Sequence, residues 1–255
     1  RFQKYNIRAL GIKTINNRLI SEPLTFIDYL VNASDFNVPH IQVGADQILM
    51  RRQPFFNPRD GVISLVDING KTKLATMLSI KAYCSTTLAG MLDEIQESSI
   101  EHVITHSFSP YYKDIAKRKL TNIQTEMAQS SDESMIQTAE LSSSMEDIAR
   151  SENSLGIHHM TICVYADSLD ELNDHITTIK QCSENVGLVL TKENIGAEIA
   201  FWAQLPGNFS YIARGANITT KNLASFISFH APAKGCEFNN HWGNALTIFE
   251  TIYNT

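Results

Sequence analysis

An α+β fold is predicted for this chain by three features. Short β-patterned runs alternate with amphipathic helical runs, an Asn69-Gly70 pair marks a hairpin, and two Ser-x-x-Glu boxes (Ser130/Glu133 and Ser168/Glu171) mark helix starts. The 255 residues are 43% hydrophobic and 19% charged, enough apolar material for one large core or two small ones. The net charge of -6 argues against naked nucleic acid as the main partner, because phosphate rewards a basic surface. Nowhere do about 18 apolar residues run together, so no bilayer-spanning helix is expected, and no basic start followed by an apolar stretch marks a signal peptide. Cys84, Cys163, Cys182 and Cys236 are scattered without a C-x-x-C pair, which suits reduced thiols used for packing. Arg1 in place of Met, with patterned chain already from 2 to 12, is read as an excision point.

The elements follow in order. Ser21 before Pro23 opens a helix whose stripe is Leu24, Ile27, Leu30 and Val31, ending near Asn32. Residues 41–50 suit a strand, and Pro54 and Pro58 then break the chain. Runs at 62–68 and 73–81 flank Asn69-Gly70, which predicts a two-residue turn. Thr86 or Thr87 caps a short helix with Leu88, Met91, Leu92 and Ile95 inward, and 102–108 is a strand. Ser109-Pro110 starts a helix with Ala116, Leu120, Ile123 and Met127 on one face. A second helix from Ser130, with Thr138, Leu141, Met145 and Ile148, completes a helical hairpin that is either a core seam or a protruding arm. Residues 157–165 alternate as a strand, Ser168 opens a helix striped by Leu172, Ile176, Ile179 and Val186, Gly187 ends it, and 188–191 is a short strand.

From residue 73 the order is strand, helix, strand, helical hairpin, strand, helix, strand: two split βαβ units joined by the hairpin. This predicts a ferredoxin-like α+β sandwich with an inserted helical hairpin at 109–150, and topology alone leaves function open.

Few residues are placed for chemistry. Gly70-Lys71-Thr72 resembles the end of a phosphate-binding loop, but the first glycine would fall on Leu65 and no helix follows, so it reads as a turn. His158 and His159, adjacent on a strand, point to opposite faces, whereas His102 and His106 share one without a third ligand, so half-buried strand histidines are expected and no metal. His230, Cys236 and His241 form only a loose set, and neither a G-x-S-x-G elbow nor an H-E-x-x-H helix occurs. Arg51-Arg52 reads as a solvated strand end, and Pro54-Phe55-Phe56 beside it as a candidate apolar dock. The candidate list for catalysis is empty, as it is for cofactor and metal.

The block from 199 to 242 is less generic. Pro206-Gly207 supplies the two central positions of a type II turn, so Leu205-Pro206-Gly207-Asn208 makes a rigid corner after a helix carrying Phe201 and Trp202. Arg214 follows, and Thr219 or Thr220 caps a helix containing Asn222, Leu223, Phe226 and Ile227. With Phe201, Trp202, Gln204, Leu205, Pro206, Gly207, Asn208, Arg214, Asn222, His230, Gly235, Trp242 and Gly243 spaced as they are, the chain resembles the region ahead of the motor domain in the CagE, TrbE and VirB family of type IV secretion ATPases. Upstream, 78–81, 105–108 and 155–159 agree, while 1–55 match loosely.

The resemblance implies a peripheral inner-membrane ATPase that energises pilus assembly and export of protein or DNA, with the N-terminal region docking the motor to membrane subunits. It implies three parts: an N-terminal helix and strand segment (1–55), an α+β body (56–195), and a connector (196–255) toward a P-loop motor. ATP and magnesium would be held downstream, since neither nucleotide-binding motif occurs here. Expected partners are inner-membrane and core subunits of the apparatus, the protein's own motor and further copies of itself, with no direct nucleic acid. Expected localisation is the cytoplasmic face of the bacterial inner membrane. Gln204, Asn208, Arg214 and Asn222 would set the interface with the motor. The alternative is a stand-alone cytoplasmic α+β domain that binds or transforms a small molecule, which would need titratable groups converging around His102 and His106.

Overall fold

The computed structural model describes residues 9–41, 44, 47, 49, 51–129, 147–148, 150, 152–227, 243–244 and 247. Strands β1 (Ile12–Ile15) and β2 (Arg18–Ser21) form a hairpin turned by Asn16 and Asn17, both at positive φ (50° and 62°), a conformation asparagine tolerates. The hairpin leads directly into α1 (Glu22–Asn32), where the Ser21 hydroxyl accepts from the Leu24 N–H and Pro23 occupies the first turn, as predicted. On α1, Asp28 is fully buried and paired with the Arg51 guanidinium, and Asn32 donates to the Asp28 carboxylate at 2.8 Å. Arg51 also stacks on Phe36, and Arg52 donates to the Asn32 and Ala33 carbonyls. The two arginines are therefore anchors for α1 and not a solvated strand end, because the buried carboxylate requires a partner.

The strand expected at 41–50 lies mostly outside the described residues, and Gln47 and Leu49, which are described, are helical. Nor do the prolines break the chain next: β3 (Arg52–Asn57) runs through Pro54 and, among the described residues, pairs only with β4 (Val62–Asp67). An edge strand tolerates a residue that cannot donate. β4 turns into β5 (Thr72–Ala82) through a longer loop than two residues. The Gly70 N–H reaches the Asp67 carbonyl, the Asp67 carboxylate accepts from the Asn69 and Lys71 N–H groups, and only Gly70 has positive φ (79°). The hairpin predicted from Asn69-Gly70 is therefore present, but its turn is a type I turn closed by a glycine bulge and stabilised by Asp67 in place of the two-residue turn expected.

The helix expected from Thr86 is delayed to a single turn, α2 (Asp93–Gln96), because Gly90 takes φ +79° just before it. Met91, Leu92 and Ile95 are buried as predicted, while Leu88 is 69% exposed. Strand β6 (His102–Pro110) extends through Pro110, so the helix expected there begins at Lys113 instead: α3 (Lys113–Gln129). The second arm of the hairpin falls almost wholly outside the described residues. At the base of the insertion Ala116, Leu120, Ile148 and Leu155 form a small buried cluster. Its entry and exit are tied by the Tyr111 N–H to the Leu155 carbonyl at 2.9 Å.

β7 (Leu155–Ala166) does not alternate: every residue except Ile157 is buried, because both faces of this central strand are covered. After it, Ser168 caps α4 (Leu169–Asn185), and Glu171 reaches back to the Asp167 N–H, one residue earlier than a standard capping box. Leu172, Ile176 and Ile179 face inward, and Gly187 (φ +75°) ends the helix as expected. β8 (Val189–Lys192), α5 (Ala197–Ala203), β9 (Ala216–Thr219) and α6 (Thr220–Phe226) follow.

The fold is mixed α+β, with six α-helices among the described residues around one curled antiparallel sheet of seven strands. The strand order is β3-β4-β5-β7-β6, with β8 on β5 and β9 on β7. β5 gives one edge to β7 and divides the other, residues 72–76 pairing with β4 and 78–82 with β8, the β8 pairing itself being irregular between Ile80 and Ala82. That division curls the sheet. Leu78, Ile80, Met160, Ile162 and Val164 point to a first face covered by α2, α4 and α6, whereas Ala75, Met77, Cys163 and Tyr165 point to a second face covered by α5. Cys84, Cys163 and Cys182 are free thiols.

Candidate functional site

The corner lies at the end of α5, on the second face. Phe201 is fully buried, in edge contact with Phe56 (5.7 Å) and Trp202 (5.1 Å), burial that contributes about 2 kcal/mol. Because Phe56 belongs to this packing, the apolar dock expected at 54–56 reduces to Phe55, which is 52% exposed. The turn itself is as predicted: the Asn208 N–H meets the Leu205 carbonyl at 3.1 Å, and Gly207 has φ +84°. Asn208 Nδ2 donates to the Trp202 carbonyl, closing the last turn of α5. Buried Gln204 donates from Nε2 to the Leu30 carbonyl and so fastens the corner to α1, while its Oε1 has no partner. Leu205 is half-buried, Pro206 and Gly207 are exposed, and Phe209 is 68% exposed.

Arg214 donates to Glu193, a buried carboxylate just after β8. The hydrogen bond and the negative charge of Glu193 raise the guanidinium pKa further. Its contact is thus intramolecular, with about half of the side chain still exposed. Asn222 takes part through its backbone: its N–H is accepted by the Thr219 hydroxyl, the cap of α6. Asn153 Oδ1 accepts from the Thr220 hydroxyl and the Lys221 N–H, joining α6 to the end of the insertion. Phe201, Trp202, Gln204, Leu205, Pro206, Gly207 and Asn208 are thus together at one corner, with Arg214 and Asn222 on separate supports. Gly243 is described, exposed and at φ +104°, while His230, Gly235 and Trp242 lie outside the described residues.

The histidines form a cluster that the sequence concealed. His158 and His159 do diverge, but His158 Nε2 is 3.1 Å from His106 Nδ1, its Nδ1 is hydrogen-bonded with the Tyr83 hydroxyl at 2.8 Å, and Phe226 stacks on it at 5.4 Å. Burial lowers the pKa of His106 to about 4, helped by His159, and that of His158 to about 3, helped by His106 and His159. Burial also pushes Tyr83 up to about 12. Held neutral and sealed by Phe226, the pair is a polar core contact, ill-suited to proton transfer near neutral pH. His102 turns away to the Ile100 carbonyl. Among the described residues no three metal-ligating side chains converge.

A second feature escaped sequence reading. Thr105, Thr161, Ser79 and Thr191 occupy one register row across β6, β7, β5 and β8 on the second face, with Ser107 opposite His159 in the next. Ser107 Oγ, His159 Nδ1 and Thr161 Oγ1 are buried without partners. Hydroxyl residues at alternating strand positions were the available signal, but strand order was needed to align them. Glu193, in a short polar connection, gave no signal.

Residues 8–214 match the CagE, TrbE, VirB family, described as a component of the type IV transporter system. The chain belongs to that family. Its relatives include Protein virB4 of Rhizobium radiobacter, 35% identical over 178 residues (70% of this chain, 22% of that protein). Protein virB4 of Agrobacterium fabrum is 29% identical, and the type IV secretion system protein virB4 of Bartonella quintana 28% identical, each over 257 residues (98% of this chain, 31% of the relative). The chain thus spans between about a fifth and a third of the length of these relatives. The corner from Phe201 to Arg214 lies within the stretch that places the chain in the family. No helix among the described residues is long and apolar enough to cross a membrane.

Proposed function

We propose that this chain is the N-terminal, non-catalytic docking and assembly region of a VirB4-type ATPase that energises pilus biogenesis and export of protein or DNA. The family match over residues 8–214, reached also by relatives named as type IV secretion proteins, carries this reading. On it, ATP and magnesium belong to a motor domain that follows the connector at 196–255. The region lies on the cytoplasmic face of the inner membrane and contacts membrane and core subunits, its own motor and further copies. A ferredoxin-like body at 56–195 is part of the same proposal, supported by the antiparallel order β8-β5-β7-β6 with α2 and α4 as crossovers. The exposed tip of the corner, Pro206, Gly207 and Phe209, offers a stiff apolar contact anchored by buried Phe201 and Gln204.

The test is Phe209→Asp in the full-length protein, followed by ATP hydrolysis and by pilus production or substrate export. Export is expected to fall about tenfold, equivalent to roughly 1.4 kcal/mol of lost contact, with hydrolysis retained. Loss of hydrolysis with export intact, or no change in either, overturns the docking role.

A further inference from the structure

Among the described residues β6 ends the sheet, and no described strand pairs with the outer edge of its nine residues. The Tyr111 N–H bonds to the Leu155 carbonyl and the Tyr165 N–H to the Glu101 carbonyl, so the odd-numbered residues of β6 face β7. By the alternation of an antiparallel ladder, the N–H and C=O groups of His102, Ile104, His106 and Phe108 point outward, and no described residue pairs with them. Three adjoining cavities follow that edge. One of about 440 Å³ borders Ile100, His102 and Ile104, one of about 550 Å³ borders 103–108, and one of about 770 Å³ begins at 107–111 and extends over the second face to Ile157, His159 and Asn217. Across the middle cavity stand Phe26 and Leu30 of α1 and Leu205 and Phe209 of the corner, making a walled trench.

We infer that this trench takes an extended segment of another subunit of the apparatus, added as a strand to β6. The segment alternates small apolar with polar residues and carries one charge, a carboxylate at the end that meets Lys119. The inference rests on the docking role proposed above and gives it a surface. Unpaired strand edges are completed by strand addition, with main-chain bonds giving affinity and alternate side chains giving specificity. Two residues lining the trench carry a buried polar atom without a partner: Gln204, 3% exposed, at Oε1, and Ser107 at Oγ. Lys119, beside Tyr111 at the Pro110 end, supplies a positive charge for the carboxylate. A second copy of this chain fits less well, because its own α1 and corner stand beside its β6 and would meet those of the first.

Residue-resolved amide hydrogen exchange on the full-length protein, isolated and within the assembled apparatus, tests this. Ile104, His106 and Phe108 are expected to exchange quickly in isolation and at least about tenfold more slowly in the apparatus. Phe26→Asp or Lys119→Glu, two independent changes to the trench, should abolish the slowing, whereas Ile68→Asp at the 96% exposed β4–β5 turn should not. Slowing elsewhere on 9–227 with these amides unchanged overturns the strand addition and leaves the docking role standing. No slowing anywhere on 9–227 overturns the docking role itself. Amides already slow in the isolated protein show the edge closed by its own chain or by a second copy, which also overturns the proposal.

Discussion

The two faces of the sheet solve different problems. The first is covered by α2, α4 and α6 over a continuous apolar layer from Val62 to Phe226, in which His106 and His158 satisfy each other and Tyr83. The second is apolar only under α5, where Ala75, Met77, Cys163 and Phe201 meet, and gives way to Ser79, Thr161, His159 and Gln204 toward the corner. A face that only had to stabilise the sheet would be apolar throughout, since a buried hydroxyl without a partner costs about 1–3 kcal/mol. The second face therefore separates an anchor from a working area, and the separation can be tested by substitution.

The largest effect is expected at the anchor. Phe201→Ala should lower the stability of the chain by about 3–5 kcal/mol in urea unfolding, because the ring leaves a cavity among Phe56, Trp202 and Met77 that α5 cannot close. A loss below about 1 kcal/mol would remove the distinction between anchor and working area. Acid should act next, and on the first face. His106 and His158 have pKa values lowered to about 4 and about 3, below the value near 6.5 of the unfolded chain, so below that value the unfolded state binds more protons. Stability is then full above about pH 6.5 and is lost as pH falls toward about 4. A His106→Phe, His158→Phe double variant should flatten that slope in unfolding curves taken from pH 7 to 4.

Smaller effects sharpen the contrast. Thr161→Val, which replaces an unpartnered hydroxyl on the second face with a methyl, should be neutral or stabilising by up to about 1 kcal/mol. A clear destabilisation would mean that the hydroxyl row holds the fold. Arg214→Ala should cost least, under about 1 kcal/mol, because the guanidinium is half exposed in its pair with Glu193.

Local signals in the sequence located what local chemistry decides. Ser21 and Ser168 marked their helices, Gly187 the end of α4, and Pro206-Gly207 the corner, because caps and turns depend on neighbours a few residues away. Errors arose where distant chain decided. Pro54 reads as a break because nothing local says that β3 is an edge, and the burial of β7 on both faces depends on helices from 93 to 226. At the candidate site, the corner was legible as a unit, yet the Arg214 partner, Glu193, and the anchor of Gln204, the Leu30 carbonyl, are separated from them by 21 and 174 residues. The His106 to His158 contact likewise spans 52 residues.

The tie between Tyr111 and Leu155 has a consequence for engineering. With entry and exit of the insertion pinned by one backbone hydrogen bond, the register of β6 on β7 does not depend on how much chain passes between them. Doubling the length of such a connection costs only about 0.6 kcal/mol in closure entropy. A fluorescent domain, an epitope or a shortened linker can be exchanged there, leaving β6 and the corner as a fixed chassis.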